Sequence, residues 1–119
     1  MNPEIEEGIR LFNAGKSFEA HEALEAVWLD ACGEEKTFLH GLIQIAAAFH
    51  HCTRQNEAGF RSLLEKGWSK LDKLGRTRGG IDLGILRHQL EPWFSFLAKA
   101  RGEGRTRPPL PRIACTGDH

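Results

Sequence analysis

The chain carries no net charge, since its 16 lysines and arginines match its 16 acidic residues. General nucleic-acid affinity comes from excess positive charge, so this balance argues against it. Cysteine is sparse: Cys32, Cys52 and Cys115 lie far apart, with no C-x-x-C. An odd, scattered set reads as a reduced cytoplasmic chain, not as a disulfide framework. Long apolar runs are missing too. The longest, Leu42 to Phe49, is broken by Gln44 and falls far short of the ~20 residues that span a bilayer. The opening Met-Asn-Pro-Glu-Ile-Glu-Glu is acidic, unlike a signal peptide. There is no G-x-S-x-G elbow and no glycine-rich phosphate loop. No segment alternates with period two, so no strands are expected.

What is present is an ordinary globular composition, 40% hydrophobic and 27% charged over 119 residues. Such a chain builds one core. Helix punctuation organises it. Asn2 caps a first helix, with Pro3 at its first position and Glu4, Glu6 and Glu7 in its first turn. Ile5, Ile9 and Phe12 share a face, and Gly15 ends it. Ser17 is expected to cap a second helix running to about Ala31, stopped at Gly33. A third helix is expected from about Glu35 to Gln55. A fourth runs from Glu57 to Leu74, capped by Asn56 and closed by Gly75. Residues 75–81 read as a flexible basic loop. A fifth starts after Asp82 and continues to about Ala100, bent or interrupted at Pro92. The expected architecture is all-α, a small antiparallel bundle of about five helices over residues 1–101. Residues 102–119 form a basic, Pro-rich tail, either lying on the bundle, disordered, or serving as a proline-rich ligand.

The neutral total hides an asymmetry. Residues 1–35 carry nine acids against Arg10 and Lys16, a net of −7, whereas 36–98 carry +4 and 99–119 carry +3. Acidic and basic helices can neutralise each other in a bundle. The alternatives are head-to-tail association or an anionic partner at the basic end.

On a helical wheel, Phe18, Leu24, Trp28, Leu29 and Cys32 make an apolar stripe along the second helix. His21 and Glu25 fall inside that stripe, one turn apart, and Glu22 lies at its edge. A carboxylate in a core-facing stripe needs a partner, a charge or a metal, and His21 is the nearest candidate. On the third helix, Phe38, Leu42, Ile45 and Phe49 form one face. His40, Gln44, Ala47, Ala48 and His51 lie roughly opposite. If that alanine-bearing face packs on the second helix, His21, Glu25, Gln44 and His51 converge.

Two chemistries fit such a convergence. In one, His21, Glu25 and His51 hold a divalent metal ion, Gln44 orients substrate or water, and Glu22 is the general base. The order His21-Glu22-Ala23-Leu24-Glu25 is close to the zinc-protease H-E-x-x-H, but Glu25 stands where its second histidine would be. In the other, the same groups form a satisfied polar network that fixes helix register. Access separates the two: a cluster sealed under Trp28 and Phe38 is structural, and one opening into a cleft lined by Trp28 is a site. His50, His51 and Cys52 are adjacent on a helix and point apart. Cys32 at a helix C-terminus is a poor nucleophile. Trp28, Trp68 and Trp93 read as core anchors. Arg76, Arg78 and Arg87 read as a solvated loop, or as a phosphate clamp near the fifth helix.

Phe18-Glu-Ala-His-Glu-Ala-Leu-Glu-Ala-Val-Trp28, then Gly41-Leu-Ile-Gln-Ile-Ala-Ala47 and His51, resemble the domain of unknown function 309 family. The similarity covers about residues 5–75. Its pattern is H-E-x-x-E-x-x-W, then G-L-I-Q-x-A, then a histidine. Gln55-Asn56 and Gly59-Phe60 stand where that family usually has Gly-Asn and Gly-Ala. The resemblance implies a small all-α bundle from bacteria, archaea or plastids. It also implies that His21, Glu22, Glu25, Trp28, Gln44 and His51 belong to the family's pattern, and it brings no activity with it. The function expected is a structural or partner-binding module, which can be a homo-oligomer. The alternative is a metal-dependent hydrolase-like enzyme using His21, Glu22, Glu25 and His51.

Overall fold

The punctuation read from the sequence sets most helix ends. The computed structural model describes residues 2–116, so tail positions 117–119 lie outside the described residues. Five helices form: α1 (Pro3–Asn13), α2 (Ser17–Trp28), α3 (Gly33–Thr53), α4 (Glu57–Asp72) and α5 (Leu83–Ala98). The expected all-helical class is the observed one, with 66% of the described residues in helix. Asn2, Asn56 and Asp82 accept from the backbone N–H groups of Glu4, Gly59 and Ile85, at 2.7, 3.0 and 2.9 Å. Each satisfies a donor that the first helical turn leaves free.

Four local expectations are corrected. Ser17 is not the cap of α2 but its first, buried residue; Lys16 holds the cap position without a side-chain bond. α2 stops at Trp28 and α3 starts at Gly33, so the linker at 29–32 is longer than expected. α5 runs uninterrupted through Pro92, which is exposed; the carbonyl it deprives of an N–H can turn to water. The loop after α4 is not structureless: β1 (Thr77–Arg78) pairs antiparallel with β2 (Ile81–Asp82). Gly79 and Gly80 turn between them with φ of 54° and 83°. Positive φ at both central residues is what a tight two-residue hairpin turn requires, and Gly-Gly supplies it.

α3 is the axis of the bundle. It packs against α2 on one side and α4 on another, and α1 packs on α2. Its buried residues run all round it, from Phe38 and Leu39 through Ile45 and Ala46 to Phe49 and Cys52. At the far end an aromatic cluster closes the core. The Trp93 ring meets Phe49, Phe60 and Phe96 edge-on at centroid distances of 5.2, 5.5 and 5.5 Å, a favoured geometry for ring quadrupoles.

Residues 105–116 run back over the bundle as an extended arm. Trp93 donates its indole N–H to the Pro109 carbonyl at 3.1 Å. Asn13 and Gln89 each exchange hydrogen bonds with the arm, at Ile113 and Arg112. The Ile113 side chain is buried. Ile81 of β2 bridges to Cys115, so the arm also continues the small sheet.

Candidate functional site

A cleft of about 190 Å³ lies where α2, α3 and α4 meet, lined chiefly by His21, Trp28, His40, Ile43, Gln44 and Leu63. Glu25 and Ala47 complete its rim. The α3 residues share a face because they are spaced at His40, Ile43, Gln44 and Ala47, the three-and-four rhythm of a helix. His21 and Trp28 come from α2 two turns apart. Leu63 closes the floor from α4.

Trp28 is half-buried and carries two neighbours. The Lys36 ammonium sits 4.4 Å from its ring centroid, within cation–π range. The His40 ring lies 5.4 Å away, tilted. Burial, then the Lys70 charge, hold the His40 imidazole below its ordinary pKa. Its folded value is the lower one, so His40 favours the neutral ring, and stability declines as pH falls through the unfolded value.

Three side chains of this cleft each hold a polar atom sealed from solvent and without a protein partner: His21 Nδ1, Trp28 Nε1 and Gln44 Oε1. Among the described residues these are the only buried side-chain polar atoms so placed. An unpartnered buried group costs about 1–3 kcal/mol, and buried polar groups are partnered as a rule. Three at one cleft therefore mark it out from the rest of the molecule.

The structure brings together His21, Trp28 and Gln44, but not the whole expected set. Glu25 is exposed at the rim rather than buried, so the carboxylate in the apolar stripe that called for a partner does not exist. The stripe itself is displaced: Leu24 is buried as expected, but Phe18 and Leu29 are 46% and 65% exposed, and α2 buries Ser17 and Ala20 beside Leu24. His51 does not line the cleft. Its Nδ1 lies 3.0 Å from Asn56 Nδ2, while Asn56 Oδ1 accepts from Gly59. The Asn56 amide can only donate there, so His51 Nδ1 accepts and its proton sits on Nε2. His51 thus ties the end of α3 to the start of α4. Glu22 is exposed and outside the cleft lining. Among the described residues no group of three or more His, Cys, Asp or Glu side chains is gathered to hold a metal ion. The expected ligand set of His21, Glu25 and His51 is not assembled, because His51 is turned to Asn56.

Of the three arginines read as a solvated loop or, alternatively, a phosphate clamp, two are engaged within the chain. Arg87 donates to the Leu71 and Gly75 carbonyls, and Arg78 pairs with Glu34. Of the three tryptophans, Trp93 is fully buried, whereas Trp68 and Trp28 are half-buried. Sequence reasoning left His40, Ile43 and Leu63 out of the site. His40 was legible: it stands one turn before Gln44 on the same face. Leu63 was not, because nothing in α4 announces which neighbour it meets.

Residues 5–63 match the family model described as Domain of unknown function (DUF309). The resemblance drawn from the motifs is borne out over that stretch, which holds every cleft residue. A comparison with curated proteins returns no match. No described helix is long and apolar enough to cross a membrane.

Proposed function

We propose that this chain is a binding module whose cleft at His21, Trp28 and Gln44 recognises a small amide-bearing group, either a free carboxamide or the amide of a partner's side chain. The reading places it in a reducing cytoplasm, in keeping with three free cysteines. The observation that carries it is the trio of unpartnered buried polar atoms around one cleft. Trp28 Nε1 can only donate, Gln44 Oε1 accepts, and His21 Nδ1 can do either according to its tautomer. An amide offers an acceptor and a donor side by side and matches that set. An apolar cavity of ~150 Å³ holds benzene, so a cleft of about 190 Å³ admits a group of ring or side-chain size. An amide that reached these atoms would restore hydrogen bonds they lack, and those bonds would supply the affinity.

The hydrolase alternative needs Glu22 beside an ion held by His21, Glu25 and His51. Glu22 and Glu25 are exposed and His51 is engaged by Asn56, so the donor geometry favours binding.

Gln44→Leu tests the proposal twice. Replacing an unpartnered polar atom with an apolar group of similar shape raises stability by about 1–2 kcal/mol in urea unfolding; a satisfied structural glutamine would lose stability instead. In ¹H–¹⁵N spectra, N-methylacetamide shifts the Trp28 indole resonance saturably in the parent and not in Gln44→Leu. The Trp93 indole, already bonded to Pro109, stays still and serves as control. Three indole resonances drifting together, or none moving, would sink the reading.

A further inference from the structure

A second cavity, of about 340 Å³, opens between the end of α3, the start of α4 and residues 101–107, where the chain enters the arm. Its walls include Glu57, Phe60, Phe96, Arg101, Arg105 and Arg107. Three guanidiniums here face a single carboxylate. Glu57 takes a two-pronged bond from Arg105, 2.9 Å on each oxygen. It also takes a longer contact from Arg101 at 3.4 Å, and Arg61 of α4 approaches it at 3.6 Å. Glu103, outside the lining, accepts from the Ala100 N–H at 2.8 Å.

The arginines are not equivalent. Arg105 is largely buried, donates to the Phe96 carbonyl and lies 4.5 Å from the Phe96 ring. Its donors are committed to holding the chain in place. Arg101 is 74% exposed and makes only the long Glu57 contact. Arg107 is exposed and makes one 3.4 Å bond, to the Cys52 carbonyl. Each guanidinium has five N–H donors, so most of those on Arg101 and Arg107 are free. After Glu57 is neutralised, the lining keeps two positive charges, which one dianionic phosphate group would balance. Guanidinium forks match phosphate oxygens two at a time.

We infer that this cavity binds a small phosphate monoester, its phosphate held by Arg101 and Arg107 and its organic part set against Phe96. The site shares no residue with the His21, Trp28 and Gln44 cleft and does not depend on it. It gives the basic C-terminal stretch, residues 99–119, a task that bundle neutralisation leaves unexplained: among the described residues the acids of α1 and α2 pair with none of these arginines.

The experiment is a thermal melt of the full chain in rising phenyl phosphate, with sodium chloride at equal ionic strength as reference. The midpoint rises saturably with phenyl phosphate and not with chloride. The Arg101→Ala/Arg107→Ala variant keeps its midpoint in chloride and loses at least tenfold in apparent affinity. If that variant does not fold, Arg101→Lys and Arg107→Lys decide. They keep the charge but lose the fork, and a several-fold loss in each is expected. The inference is overturned if phenyl phosphate and chloride act alike on the parent, or if the folded arginine variants respond as the parent does.

Discussion

Gln55 has a φ of 60°, the one positive value outside glycine among the described residues. It follows the last turn of α3, where the Asn56 N–H returns to the His51 carbonyl at 2.9 Å and the Gln55 N–H to Cys52 at 3.1 Å. That pair of bonds is the Schellman closure of a helix, whose left-handed position favours glycine. A side chain there costs about 1–2 kcal/mol, while glycine adds about 0.5–1 kcal/mol of unfolded-chain entropy. Gln55→Gly is therefore expected to stabilise the domain by about 0.5–1 kcal/mol, read as a higher urea midpoint at unchanged slope. The family resemblance implies Gly-Asn at this position, where this chain has Gln55-Asn56. Other single residues were harder to place. Helical spacing found His21, Trp28 and Gln44, but it put Glu25 inside because it centred the wheel on the bulky Phe18 and Leu29. The inward face of α2 is set by small residues that permit close approach. A Cβ on Gly8 of α1 would lie 2.7 Å from Leu24, so α1 presses on the Ala20 and Leu24 side and leaves Phe18 half outside.

Between elements, α3 and α4 cross closely at two glycines. A Cβ at Gly67 would come within 2.7 Å of Ile45 Cδ1 and 3.0 Å of the Gly41 carbonyl oxygen. One at Gly41 would meet Leu71 at 2.8 Å. The Ile45 methyl can move, but the Gly41 backbone cannot without shifting α3. Overpacking of this kind costs about 1–3 kcal/mol, against about 1 kcal/mol of helix propensity gained by alanine. Gly67→Ala is expected to destabilise by up to about 2 kcal/mol in urea unfolding; a gain in stability would show that the two helices separate freely. Helix ends were legible because caps are local: Asn2, Asn56 and Asp82 bond within three residues. The hairpin was not, because strands of two residues cannot display alternation. Its one local sign was Gly79-Gly80, and its third partner, Cys115, arrives from far along the chain.

At the scale of the whole molecule, the arm closes what the helices leave open. It supplies Ile113 to the core and an acceptor to the Trp93 indole, roles that no reading of Arg107-Pro-Pro-Leu-Pro111 as an extended segment could assign. Its first residue, Arg105, is fastened at Glu57, whose carboxyl is pulled down to about 2 from an ordinary 4.5, chiefly by the Arg105 hydrogen bonds and against the opposing effect of burial. The folded value is the lower one, so the fastening contributes above the unfolded value and is lost as pH falls through the folded one. The window is thus about pH 4.5 down to 2. Other carboxylates titrate over the same range, so the parent must be compared with Glu57→Gln. Thermal midpoints of the two should differ by a constant amount above pH 5, and the gap should close toward pH 2 as the parent's Glu57 takes up its proton. A gap that persists to pH 2 would mean that Glu57 acts through its shape rather than its charge. A gap absent at neutral pH would mean that Arg105 is held in place by Phe96 alone.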